Sequence, residues 1–164
     1  IAADHFDLAS CGGYEFWWHE NTKPPTWHID CDERRKLEDN CMTFPLCSIV
    51  YYIKVDNLVD GKLYISHNDD VKSGDTKDKF DQISDSHPDN PDNNFSGDVI
   101  NPKTNRMVIF PPGKFHMVER FLGTRISMVI NPWDARKYKY SPLKEGYELI
   151  YEGSNSLYYF EKNE

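Results

Sequence analysis

The sequence predicts a mainly β domain of the sandwich or barrel type, and a double-sheet jelly roll fits this pattern. Aromatic side chains, which favour strands, make up 14% of the residues, with 10 Tyr and 9 Phe. The chain also consists of short apolar runs divided by turn residues, with no long helical pattern. Its 164 residues are enough for one domain with its own core, residues 1–164.

The first half of the chain contains four predicted strands. They are Tyr14–Trp18, Thr26–Asp30, Leu46–Val55 and Lys62–Ser66, with turns at Asn21–Pro25 and Asn57–Gly61. Leu46–Val55 is the strongest, because it is rich in β-branched and aromatic residues. The charged stretch Asp32–Asn40 predicts a short helix or a loop.

A long polar segment, His67–Asn105, interrupts this pattern. It is rich in Asp, Asn, Ser, Gly and Pro, and a loop of this length inside a compact domain is usually functional or disordered. We therefore expect either a mobile lid over a substrate or a solvated insertion.

Strands resume in the second half of the chain. They are predicted at Arg106–Phe110, Phe115–Glu119, Thr124–Asn131, Tyr147–Tyr151 and Ser156–Phe160, with turns at Pro111–Lys114 and Gly123.

Charge and hydropathy narrow the range of partners. The net charge of −8 argues against nucleic acid or an anionic membrane as the main partner.

No apolar run reaches about 18 residues, so we expect no spanning helix. We find no signal peptide and expect a cytoplasmic protein. Because the chain begins with Ile1, we also expect that the native N-terminus is missing.

The cysteines indicate a reducing compartment. Cys11, Cys31, Cys41 and Cys47 form no C-x-x-C pair, which disfavours a zinc knuckle. Four cysteines are also few for a disulfide scaffold of this size, so free thiols are expected.

His-x-Asp pairs are candidate metal ligands, because side chains two apart on a strand share one face. The chain has four such pairs: His5/Asp7, His28/Asp30, His67/Asp69 and His87/Asp89. Only His28/Asp30 lies in a strand-like run with apolar neighbours, Trp27 and Ile29, which would face the opposite side. The alternative is a surface histidine hydrogen-bonded to an aspartate.

A second set of candidates follows the turn at Pro111–Lys114. His116 is a possible third ligand from a distant strand, or else an ordinary core histidine. Arg125 and Ser127 would share one strand face, and a guanidinium with a hydroxyl suits a carboxylate. Because alternate positions on this strand are apolar, Arg125 would point inward, where a bound anion would satisfy its charge. The alternative is a surface arginine.

Five motifs together resemble one enzyme family. They are WHID at 27–30, IVYYIK at 49–54, GKLYI at 61–65, RMVIFPPGKFH at 106–116 and RISMVINPW at 125–133. Their order resembles that of Fe(II)/2-oxoglutarate-dependent oxygenases, most closely the prolyl-hydroxylase-like branch, over roughly residues 14–134. The resemblance implies a double-stranded β-helix, which is a cupin-like jelly roll.

The resemblance also implies residue roles. His28, Asp30 and His116 would bind Fe(II), whereas Arg125, Ser127, Tyr52 and, near the same pocket, Trp18 would bind 2-oxoglutarate. The implied reaction uses O2, is stimulated by ascorbate, and hydroxylates a C–H bond while releasing succinate and CO2. Its substrate would be a prolyl residue in a peptide or a free amino acid. Tyr14, Trp17 and Trp27 are candidates for lining a substrate cleft, or are ordinary core residues.

Two other functions fit the same barrel. One is a non-catalytic, cupin-like binding module whose metal is structural or absent. The other is a metal-dependent isomerase, which would not need Arg125 or Ser127.

Overall fold

A computed structural model describes residues 2–20, 24–68, 71–85, 95–134, 147–153 and 156–161, the last two ranges by their backbone alone. After a short 3-10 turn at Ala2–Asp4, the elements are β1 (Cys11–Glu20), α1 (Glu33–Glu38), β2 (Ser48–Asp60), β3 (Leu63–Ser66), α2 (Lys77–Ser84), β4 (Gly97–Ile100), β5 (Met107–Phe110), β6 (His116–Val118), β7 (Phe121–Asp134), β8 (Tyr147–Gly153) and β9 (Ser156–Glu161). The mainly β prediction is confirmed.

The larger sheet is antiparallel, with strand order β1-β7-β2-β5. The side chains of its inner strand β7 alternate between buried and partly buried, as the sequence predicts. Arg125, Ser127 and Val129 are buried, whereas Ile126 and Met128 between them are only partly buried. Because successive side chains of a strand point to opposite faces, the arginine and the serine share the inner face.

The smaller sheet, with order β4-β3-β6, covers that inner face. One apolar cluster contains Val50 and Val129 from the larger sheet together with Leu63, Ile65 and Val118 from the smaller one. Two antiparallel sheets therefore pack face to face, and the core lies between them.

The polar segment 67–105 is more ordered than the sequence suggests, where the structure describes it. It contains α2 and β4. Thr76 caps the helix by accepting a hydrogen bond from the Lys79 backbone N–H. Phe80 packs with Val71, Ile29 and other residues in a second apolar cluster. The segment therefore contains regular elements that the sequence did not predict, whereas its role as a lid or a solvated insertion stays a prediction. Residues 69–70 and 86–94 lie outside the described ranges.

Three local predictions also need correction. Thr26–Asp30 is not a regular strand, because only His28 forms a bridge, with His116. The predicted turn Asn57–Gly61 lies mostly within β2, which continues to Asp60 past a bulge. Gly123 lies inside β7, at φ +102°, where an added Cβ would meet the Asn57 carbonyl oxygen at 2.2 Å.

Two further expectations can be compared with the structure. All four cysteines are free thiols, as predicted. In the described part of the chain, no helix has the length and apolar character needed to cross a membrane.

Candidate metal centre

Backbone pairing brings two distant histidines together. The His28 N–H donates to the His116 carbonyl at 3.1 Å, and the His116 N–H donates back at 2.9 Å. The two imidazole rings consequently lie side by side, with centroids 4.1 Å apart. This pairing links the segment before α1 to strand β6, so the prediction that His28 and His116 belong to one cluster agrees with their positions.

The Asp30 carboxylate completes the cluster. Its Oδ1 atom lies 3.9 Å from Nε2 of His28 and 3.9 Å from Nε2 of His116. One ligand atom from each of the three residues lies within 4.8 Å of the others. The Ile29 side chain, between His28 and Asp30, points away from them and packs in the second apolar cluster. The side chains of these three residues therefore alternate in direction, although the segment is not a regular strand.

Backbone carbonyls fix the orientation of both imidazoles. Nδ1 of His28 is 2.7 Å from the Thr26 carbonyl, and Nδ1 of His116 is 3.0 Å from the Lys114 carbonyl. A carbonyl can only accept, so Nδ1 carries the proton in each ring. In the neutral form of each ring Nε2 is therefore the atom with a lone pair, and it faces Asp30. This arrangement is typical of metal-binding histidines.

The burial of His116 favours its neutral form. Its exposed fraction is 5%, and this burial, together with the nearby His28, lowers its pKa to about 4 despite the opposing effect of Asp30. A metal ligand must be the unprotonated imidazole. His116 is therefore in the state needed for metal binding at neutral pH.

The cluster opens into a pocket between the two sheets. Besides the three cluster residues, two of the residues proposed to bind a cosubstrate line it, Arg125 and Ser127. The remaining lining residues are mostly apolar, and all except Pro25 lie in strands of the two sheets: Trp17, His19, Pro25, Val50, Leu63, Val118 and Val129.

Arg125 is held by aromatic rings at this pocket. Its exposed fraction is 4%, and its guanidinium carbon lies 5.2 Å from the Tyr52 ring centroid and 5.9 Å from that of Phe121. Burial raises the pKa of Tyr52, and the Arg125 cation opposes this shift. The Ser127 hydroxyl is buried and has no hydrogen-bond partner within the described ranges. A cation and a hydroxyl therefore line one wall.

Of the four other predicted site residues, only Trp17 lines the pocket. Trp18 and Tyr14 alternate with Trp17 along β1, and their exposed fractions are 36% and 38%. Trp27 packs against the second apolar cluster and against Phe95, with ring centroids 5.7 Å apart. Neither Trp18, Tyr14 nor Trp27 is brought to the cluster.

Sequence reasoning missed two polar residues near the cluster. His19 lines the pocket and accepts a hydrogen bond from the Trp17 indole N–H at 3.0 Å. Because His19 lies two residues after Trp17 along β1, the two side chains share a face, and this spacing could have indicated their contact. Ser48 donates from Oγ to Asp30 Oδ2 at 2.8 Å, and no motif around it indicates this contact.

Comparisons of the chain with protein-family models, with curated proteins and with solved structures find no match. The function is therefore inferred from the residues of the cluster and of its pocket.

Proposed function

We propose that this chain is an Fe(II)- and 2-oxoglutarate-dependent dioxygenase that hydroxylates an unactivated C–H bond. The observation that carries the proposal is that Arg125 and Ser127 line the same pocket as His28, Asp30 and His116. An isomerase or a structural metal site would need the three ligands but would have no use for a buried cation beside them.

The donor set supports Fe(II) as the metal. Two imidazoles and one carboxylate on one side of an ion form the facial triad of non-haem Fe(II) oxygenases, which leaves positions open for reactants. The three ligand atoms lie within 4.8 Å of one another, and small side-chain movements would bring all three to bonds of about 2 Å from one ion.

The wall of the pocket supports a dicarboxylate cosubstrate. A buried guanidinium pairs well with a carboxylate, because its N–H groups match the two oxygens. Ser127 Oγ, buried and without a partner in the described part of the chain, supplies another donor. The positive charge of Arg125 would also offset the cost of bringing an anion out of water.

The rest of the pocket supports a substrate with an aliphatic part. Trp17, Pro25, Leu63 and Val118 line it, and such surfaces favour apolar groups. A prolyl residue in a peptide, or a free amino acid, has a suitable ring or side chain. His28, with 36% of its side chain exposed, marks the more open side, from which a substrate could approach.

Fe(II), when bound with 2-oxoglutarate and O2, supplies the oxidising power for hydroxylation, with release of succinate and CO2. The chain's own residues bind and orient. His28, Asp30 and His116 hold the ion, and Arg125 and Ser127 bind the far carboxylate. The apolar walls exclude water and position the substrate.

We further propose that the two facing sheets form a double-stranded β-helix. The antiparallel order of both sheets and the location of the cluster between them support this assignment.

The proposal can be tested in two steps. Without O2, isothermal titration measures binding of 2-oxoglutarate to the protein with and without Mn(II). With Fe(II), ascorbate and O2, succinate is measured while proline-containing peptides and free amino acids are screened by product mass. We expect metal-dependent 2-oxoglutarate binding, succinate formation and a product heavier by one oxygen atom.

Two results would contradict the proposal. Mn(II) binding without 2-oxoglutarate binding would favour a cupin-like binding module. Turnover that needs the metal but not 2-oxoglutarate would favour an isomerase.

A further inference from the structure

The two oxygens of the Asp30 carboxylate have different surroundings. Oδ1 is the atom 3.9 Å from Nε2 of each histidine, whereas Oδ2 accepts the 2.8 Å hydrogen bond from the Ser48 hydroxyl. Both side chains are buried, with exposed fractions of 8% for Asp30 and 2% for Ser48. Water therefore competes little for either oxygen, and the hydroxyl decides the orientation of the carboxylate.

We propose that Ser48 is a positioning residue that keeps Asp30 a one-oxygen metal ligand and so keeps one position on the ion open. This inference rests on the proposed function, because the open position would serve the cosubstrate or O2. A carboxylate can bind a metal through one oxygen or through both. Binding through both would turn Oδ2 away from Ser48 and occupy a position that a facial triad leaves free.

The hydrogen bond from Ser48 favours the one-oxygen form. A hydroxyl bonded to a carboxylate is a charge-assisted hydrogen bond. If Oδ2 moved to the ion, the Ser48 hydroxyl would stay buried and lose its acceptor, and a buried donor without an acceptor is unfavourable. Ser48 cannot easily follow the carboxylate, because it begins β2 and pairs with Phe110 of β5.

The test compares Ser48→Ala with Ser48→Thr, which keeps the hydroxyl, and with Ser66→Ala as the matched control. Ser66 is also buried and lies in a strand, but its Oγ accepts from the Asn68 N–H rather than contacting a ligand. The first readout is the relaxation of water protons by protein-bound Mn(II), which reports the number of exchangeable waters on the ion. The second is the Kd of 2-oxoglutarate for the Mn(II)-loaded protein.

In Ser48→Ala we expect the relaxation of water protons per bound Mn(II) to fall by about one third. The reason is that the second Asp30 oxygen would occupy one of the three positions on the ion that the facial triad leaves open to water. We also expect the Kd of 2-oxoglutarate to rise by about tenfold or more. Ser48→Thr, which keeps the hydroxyl, and the control Ser66→Ala should both give the wild-type values of the relaxation and of the Kd. If Ser48→Ala does not fold, Ser48→Cys, which keeps the shape with a weaker donor, takes its place.

The positioning role is overturned if Ser48→Ala binds Mn(II) with unchanged water relaxation, or if Ser66→Ala changes it equally. It is also overturned if the wild type binds no Mn(II). A wild type that binds Mn(II) but not 2-oxoglutarate would contradict the proposed function alone, because the relaxation comparison would still decide the role of Ser48.

Discussion

His28 and His116 form a hydrogen-bonded backbone pair whose imidazole rings lie 4.1 Å apart. One lies before α1 and the other in β6, so only the folded chain brings them together. Because each Nδ1 is bonded to a backbone carbonyl, both Nε2 atoms are directed toward Asp30. The proposed metal centre thus depends on tertiary structure, and metal binding should stabilise the fold.

Removing either imidazole should remove the metal site. We expect His28→Ala and His116→Ala each to weaken Mn(II) binding by more than about 100-fold, since even residues outside the ligand set typically matter by 10–100-fold. Isothermal titration without O2 measures this loss, and circular dichroism checks that the variants fold.

His67→Ala is the control for these variants. His67 is largely exposed and bonds to Asp98, so its removal should leave Mn(II) affinity unchanged. Wild-type affinity in either ligand variant would refute the ligand set.

Replacing Arg125 should weaken 2-oxoglutarate binding and spare the metal. We expect Arg125→Gln to raise the Kd of 2-oxoglutarate for the Mn(II)-loaded protein by about 10–100-fold, because hydrogen bonds to a charged group are lost. Arg34→Gln, at an arginine paired with Glu38 on the surface of α1, should change neither affinity. An unchanged Kd in Arg125→Gln would rule out its proposed role.

Two glycines with positive φ should respond differently to alanine. At Gly74, φ is +97° and no atom lies within 4 Å of an added Cβ, so Gly74→Ala should cost only about 1–2 kcal/mol of stability. At Gly123, the Asn57 carbonyl oxygen would be 2.2 Å away, so Gly123→Ala should cost at least about 2 kcal/mol more. Denaturant unfolding measures both, and equal losses would contradict the close approach of β2 and β7.

Cys47 should react slowly while the protein is folded. Its side chain is fully buried, and burial raises its pKa to about 11 from 9.0, assisted by Cys11. Because the pKa of the Cys47 thiol is higher by about two, its thiolate fraction near neutral pH is lower by about a hundredfold. We therefore expect alkylation of Cys47, followed by peptide mass spectrometry, to be at least about tenfold faster in denaturant. Equal rates would show that Cys47 is accessible.

The sequence predicts features that follow from local alternation. The inward direction of Arg125 and Ser127 follows from the apolar residues between them on β7. The common direction of His28 and Asp30 follows from the packing side chain of Ile29, although the segment forms a single bridge rather than a strand.

Features that depend on tertiary contacts were not predictable in this way. Helix α2 has few apolar residues, and Phe80 becomes buried only against residues distant in the chain. Gly123 resembles a turn residue, but the approach of Asn57 requires glycine within a strand. Ser48 lies in an ordinary β pattern, and only the folded chain brings its hydroxyl to Asp30.

A crystal structure of the protein soaked with Mn(II) without O2, with anomalous scattering recorded at the manganese edge, tests the metal centre most directly. We expect one strong peak bonded to Nε2 of His28, Nε2 of His116 and Oδ1 of Asp30, with Oδ2 still accepting from Ser48. A peak bonded elsewhere, or none between these three side chains, would contradict the metal centre and the function proposed from it.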